Sequence, residues 1–154
     1  MSTVHSTISI NAPVQRVWET VMDPYCLKHW VTIHKALRDH PEAPLRQGAT
    51  MEQVLQLRGV PFQVHWTLAE VNAPNLARWE GRGPAHSRAQ IQYRLRSEGD
   101  DVTSFEYTNE FSPPGGRLGI VASRVIVGAA SEREANASLA RLKTLVESKS
   151  RAAD

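Results

Sequence analysis

The two ends of this chain restrict its fold more than any other feature. Near the start, a short alternating strand that ends at Ile10 runs directly into apolar residues at helical spacing, namely Val14, Val17, Trp18, Val21 and Met22. A second short helical piece follows over residues 25–30. At the other end, residues 117–146 predict one helix about 45 Å long, at about 1.5 Å per residue. Strand-like sequence fills the middle, so we predict an α+β fold in which a long helix lies across a curved sheet.

The middle of the chain predicts an antiparallel sheet with one apolar face. Alternation places large apolar side chains on one side of each strand and polar side chains on the other. The breaks between these strands are mostly tight turns, which join antiparallel neighbours. The clearest inward sets are Phe62, Val64, Trp66 and Leu68; Ala89, Ile91, Tyr93 and Leu95; and Phe105, Tyr107, Asn109 and Phe111.

Length and composition fit one folded domain. With 154 residues, of which 41% are hydrophobic and 22% charged, the chain is long enough to bury roughly two thirds of its unfolded surface. We assign residues 1–147 to a single domain and residues 148–154 to a polar C-terminal tail. The net charge is +2, without the clustered Lys and Arg of a dedicated nucleic-acid binder, so we expect no nucleic-acid partner.

The sequence favours a cytoplasmic location. Its N-terminus has no basic region followed by an apolar stretch, so we expect no signal peptide. No window approaches 18 unbroken apolar residues, so we expect no integral membrane association. Cys26 is the single cysteine, which excludes an internal disulfide and fits a reducing compartment.

The inward stripe of the long helix changes character along its length. At spacings of three and four it runs through Leu118, Val121, Val125, Gly128, Glu132, Ala135, Leu139, Leu142 and Val146. Its ends are large and apolar, but Gly128 and Glu132 are small or polar where a sheet should press against them. Two interpretations are open: the sheet bows toward the helix or Glu132 turns to solvent, or the helix roofs a cavity into which Glu132 points. A carboxylate buried there needs a partner or a ligand to offset its desolvation.

Amides on inward strand faces are a second sign of a cavity. Asn109 shares a face with Phe105, and Gln53 shares one with Met51 and Leu55, where an amide must find hydrogen bonds. These amides either tie down neighbouring backbone or contact a ligand. An apolar space with a few convergent polar groups is typical of a small-molecule site. The candidate ligand-binding residues are Gln53, Trp66, Trp79, Tyr93, Tyr107, Asn109, Val125, Gly128 and Glu132.

The order of these elements resembles a known superfamily. The most specific segments are INAPVQRVW at residues 10–18 and HWVTIHK at residues 29–35. Over residues 3–147 the chain resembles the SRPBCC superfamily, also called START-like or Bet v 1-like, which includes polyketide cyclases and lipid-transfer proteins. The second segment, with residues 48–50 and 64–67, looks like an actinobacterial subgroup, some of whose members are described as toxins of toxin–antitoxin pairs. The resemblance implies a helix-grip fold: a seven-stranded antiparallel sheet wrapped around the terminal helix, with a deep hydrophobic cavity between them.

The sequence gives little support to metal or cofactor chemistry. Its six histidines lack the close helical pairing of a zinc hydrolase, and a single Cys gives no zinc-knuckle spacing. Neither a G-x-S-x-G nucleophile elbow nor a dinucleotide-binding loop is present. We therefore predict no metal site and no cofactor.

The cavity and the resemblance leave three functional hypotheses. The leading one is binding of a hydrophobic small molecule in an internal cavity, for transport or sequestration. The second is an enzyme of polyketide cyclase or aromatase type, in which Glu132 is the candidate acid/base and Asn109 or Tyr107 steers a carbonyl. The third is a toxin-like member of a toxin–antitoxin pair, with a protein partner; a homodimer is also open.

Overall fold

A computed structural model describes residues 2–39, 45–57, 59–112 and 132–153 of this chain. These residues form seven strands and three α-helices. In chain order they are β1 (Ser2–Ile10), α1 (Val14–Val21), α2 (Leu27–Trp30), β2 (His34–Leu37), β3 (Thr50–Leu57), β4 (Val60–Asn72), β5 (Leu76–Arg82), β6 (Arg88–Ser97), β7 (Thr103–Ser112) and α3 (Glu132–Ala153). Single turns of 3₁₀ helix precede α2, at Pro24–Cys26, and β6, at Pro84–His86.

The seven strands form one antiparallel sheet in the order β1-β7-β6-β5-β4-β3-β2. The first strand therefore pairs with the last, and β2 lies at the opposite edge. The register brings the predicted inward residues of neighbouring strands side by side: Trp66 pairs with Gly81, and Tyr93 pairs with Tyr107. The predicted seven-stranded sheet, with two short helices after the first strand, is confirmed.

Helix α3 closes one end of the sheet with its C-terminal part. It contacts β1, α1 and α2, and its residues Leu139, Leu142 and Val146 are almost completely buried. They belong to the same core as Phe105 and Leu95 on the sheet. Packing of these large side chains explains why the sequence holds a regular apolar stripe here. The fold is the predicted helix-grip arrangement.

The described helix ends later than predicted. The sequence pattern stopped at Val146, whereas α3 continues to Ala153. The predicted first half of this helix, residues 117–131, lies outside the described residues. Within the described ranges, none of the helices is long and apolar enough to cross a membrane.

Candidate functional site

A cavity lies between the sheet, α2 and the first turns of α3. Side chains from most of the strands line it, together with Leu27 and Trp30 of α2 and Ala135 and Leu139 of α3. The volume open to the centre of a water molecule is about 130 Å³, well above the minimum of about 10–15 Å³ that a single water needs. The core packed by Leu142 and Val146 lies further along the same helix. The C-terminal part of α3 therefore packs into the hydrophobic core, and the part up to Leu139 covers the cavity.

Most of the predicted site residues meet in this cavity. Six of them line it: Gln53, Trp66, Trp79, Tyr93, Tyr107 and Asn109. They come from β3, β4, β5, β6 and β7, and they converge because each faces inward on its strand. Val125 and Gly128 lie outside the described residues.

The prediction that Glu132 points into the cavity is wrong. Glu132 is exposed at the start of α3, and the residues of this helix that line the cavity are Glu134, Ala135, Ser138 and Leu139. At about 100° per residue, Glu132 stands roughly 90° from the centre of that inward face. The carboxylate is therefore in solvent, and the acid/base role assigned to it has no geometric support.

A chain of hydrogen bonds crosses the edge of the cavity from β4 to β2. The indole Nε1–H of Trp66 donates to Oε1 of Gln53 at 2.9 Å, and Nε2 of Gln53 donates to Nδ1 of His34 at 2.8 Å. Gln53 is buried, so both ends of its amide need these partners. Because Nδ1 of His34 accepts, the imidazole is neutral with its proton on Nε2. Gln53 therefore orients Trp66 within the wall and is itself held by His34.

The neutral state of His34 should make the protein less stable in acid. Burial, with a smaller contribution from the nearby Lys28, lowers the pKa of His34 below 6.5. In the folded state His34 thus binds its proton more weakly than in the unfolded chain, so its contribution to stability is complete above pH 6.5 and is lost as the pH falls through the folded-state pKa. We expect the urea midpoint of the native protein to fall between pH 7.5 and pH 5 by more than that of His34→Gln, whose amide oxygen can still accept from Gln53. Equal falls in the two proteins would contradict this assignment.

A second polar cluster lies where α3 meets the segment after α2. The backbone N–H of Thr32 donates to Oγ of Ser138 at 3.1 Å, and the Thr32 hydroxyl donates to Oε2 of Glu134 at 2.6 Å. All three residues line the cavity. The sequence analysis missed them, because a serine and a glutamate in a helix look like surface residues. The available signal was their spacing, since residues 134, 138 and 142 are each one helical turn apart.

Aromatic rings form the deep wall of the cavity. The ring of Tyr93 lies 6.1 Å from that of Trp30, 5.5 Å from that of Phe105 and 6.2 Å from that of Tyr107, centroid to centroid. Burial raises the pKa of Tyr107 to about 12 and also raises that of Tyr93. Both phenols therefore keep their protons at neutral pH. This aromatic part of the wall therefore carries hydroxyl groups but no charge.

Two buried polar atoms in the cavity wall have no hydrogen-bond partner among the described residues. They are Nε1 of Trp30, a donor, and Oδ1 of Asn109, an acceptor. Trp30 was not among the predicted site residues, although its position in the short helical piece was recognised. A buried polar atom without a partner costs free energy, so such atoms are rare and each calls for an explanation.

The described residues hold no group of three or more His, Cys, Asp or Glu side chains able to bind a metal ion. The charged residues lining the described part of the cavity are Glu134, which is half-buried, and Arg88, which is exposed. The remaining described lining is apolar or carries neutral polar groups. Such a space favours an uncharged, largely apolar occupant.

A family model described as polyketide cyclase/dehydrase and lipid transport matches residues 1–147. The chain belongs to this family. The match covers the sheet, the cavity and most of α3, so the cavity is part of the family domain. The predicted resemblance to the SRPBCC superfamily is thereby confirmed.

Individual relatives are distant. Over 107 residues the chain is 23% identical to the Mycobacterium tuberculosis protein named Toxin Rv0910, which covers 69% of this chain and 74% of that protein. The ZhuI aromatase/cyclase from Streptomyces sp. R1128 superimposes with a TM-score of 0.82 at 18% identity, covering 99% of this chain and 97% of that one. A conserved protein from Geobacillus kaustophilus gives a TM-score of 0.74 at 17% identity, with 96% of each chain covered. At these identities the structural likenesses establish the shared fold of this family domain.

Proposed function

We propose that the protein binds a hydrophobic small molecule in the cavity beneath the first turns of α3. The observation that carries this proposal is a largely apolar cavity, two of whose lining residues each hold a polar atom that has no partner among the described residues. A well-packed core would fill such a space with side chains, since cavities of this size are costly. Family membership in a group that includes lipid transport supports the same conclusion.

The test compares two tryptophan substitutions on one helix. Ala135 lines the cavity, whereas Ala140 is exposed on the same helix. We expect Ala135→Trp to fill the space and weaken naphthalene binding at least tenfold, and Ala140→Trp to leave it unchanged. Naphthalene fluorescence would report binding, and native mass spectrometry of the purified protein would show any molecule retained from the host. A native protein that purifies empty and does not bind naphthalene, or an Ala135→Trp variant that binds it normally, would contradict the proposal.

A second candidate function is proton transfer on the bound molecule, as in a cyclase. It is favoured by one observation: a carboxylate does line the cavity, at Glu134, where the Thr32 hydroxyl holds it. A carboxylate within reach of a bound carbonyl compound could act as acid/base. If so, mass spectrometry should detect loss of water from a bound poly-β-ketone, and Glu134→Gln should stop that loss while the molecule stays bound. The toxin hypothesis depends on the resemblance of short segments and on the name of a relative that is 23% identical, and we do not propose it.

A further inference from the structure

Two residues that line the cavity hold a polar atom without a partner among the described residues, and these atoms indicate which polar groups a ligand would carry. Trp30 lines the cavity and is only 2% exposed, and its indole Nε1–H is a buried donor without an acceptor among the described residues. Trp66 differs from Trp30, because its indole Nε1–H donates to Oε1 of Gln53 at 2.9 Å. The difference indicates that Trp30 can donate to an acceptor that the described part of the chain does not supply.

Asn109 presents the complementary atom on the sheet. Its Nδ2 donates to the Tyr107 hydroxyl at 3.3 Å, which leaves Oδ1 as the unpartnered end of the amide. On either side of it in the sheet lie Val4 and Ile91, which also line the cavity and offer no side-chain donor. An amide oxygen in this position needs a donor from the occupant of the cavity.

We infer that the ligand is an uncharged molecule that carries a hydroxyl group as donor to Oδ1 of Asn109 and an oxygen acceptor for Nε1–H of Trp30. This inference rests on the proposed function and adds the polar chemistry to it. A carboxylate would place an anion, which only accepts, against an amide oxygen that needs a donor. A plain hydrocarbon would leave both wall atoms unpaired. A hydroxylated apolar compound satisfies both atoms and the surrounding rings.

Three molecules of one skeleton separate these contributions. Naphthalene offers neither donor nor acceptor, 1-methoxynaphthalene offers an acceptor, and 1-naphthol offers both. For the native protein at pH 7 we expect affinity to rise at each step by roughly three- to tenfold, the usual worth of one neutral hydrogen bond. Asn109→Leu keeps the side-chain volume and should abolish the preference for 1-naphthol over 1-methoxynaphthalene. Trp30→Phe should abolish the preference for 1-methoxynaphthalene over naphthalene.

Thr108→Val is the matched control, since Thr108 lies on the opposite face of the same strand as Asn109 and bonds His5. It should keep all three affinities. If naphthalene binds the native protein but the two oxygenated compounds gain nothing, or if Asn109→Leu keeps the native order of affinities, the inference is overturned and the proposed function stands. If none of the three binds, the proposed function itself fails. Because Asn109→Leu leaves the Trp30 side of the cavity intact, a folding failure of Trp30→Phe would still leave a decisive variant.

Discussion

Leu139→Ala is expected to destabilise the protein by about 2–5 kcal/mol and to enlarge the range of molecules that bind. Leu139 is 2% exposed and is the last described residue of α3 that lines the cavity, before the core residue Leu142. Its truncation removes buried methyl groups and joins their volume to the existing space. Urea unfolding would give the stability, and naphthalene and anthracene titrations would give the binding. We expect anthracene to bind only the variant.

Leu142→Ala is the control for this experiment. Leu142 is completely buried on the same helix, and it is not among the residues that line the cavity. It should therefore lose similar stability without accepting anthracene. If both variants bind anthracene, general loosening of the fold explains the gain, and the division of α3 into roof and core would be wrong.

Gly81→Ala is expected to cost about 1–3 kcal/mol and to weaken naphthalene binding. A Cβ atom at position 81 would lie 2.6 Å from Cζ3 and 2.7 Å from Cε3 of Trp66 on the neighbouring strand. The indole would have to move, and Gln53 holds it in place by a hydrogen bond. Movement into the cavity would reduce the space for a ligand. The cause is this contact, because Gly81 is not among the glycines with positive φ.

A double-mutant cycle with Trp66→Leu tests that cause. Trp66→Leu removes the ring atoms that the new methyl group would meet. In that background Gly81→Ala should cost little or even stabilise the protein, since Ala restricts the unfolded chain more than Gly. Unfolding in urea would measure all four proteins. An equal cost of Gly81→Ala in both backgrounds would show that the close approach of Trp66 is not the source of the loss.

The sheet could be predicted from the sequence in detail because its signal is local. A period of two assigns each residue to one face, so the inward positions of β4, β6 and β7 follow directly once the strands are recognised. Six of the nine candidate residues are cavity-lining for this reason. Trp66 and Tyr93 could be assigned to the inside of the sheet without knowing which strands are neighbours, because the inward faces of all strands point to the same side of the sheet.

The helix was harder to predict because a stripe at spacings of three and four can be drawn along more than one line. Glu132 and Ala135 are three residues apart and satisfy the pattern, yet Glu132 falls at the margin of the inward face. The rotation of α3 is fixed by its packing against β1, α1 and α2, which no local pattern shows. The same packing brings Ser138 to the backbone of Thr32, a contact between residues 106 positions apart that no local pattern encodes.

The polar atoms without partners were also beyond sequence reasoning. That Asn109 faces inward could be predicted, but which end of its amide would find Tyr107 depends on side-chain geometry across the sheet. Trp30 is similar: its burial follows from a short helix docked on the core, whereas the direction of its N–H does not. The ligand chemistry that we infer therefore depends on the structure, while the existence of an apolar interior does not.

The division of α3 between Leu139 and Leu142 has a consequence for how such proteins diverge. Under the proposed function, substitutions near the start of the helix are expected to alter which molecules bind, while the core contacts two turns later continue to hold helix and sheet together. Related proteins could then change their ligand through a few substitutions while they keep the same fold. Distant homologues with a common backbone and different ligands are the expected outcome.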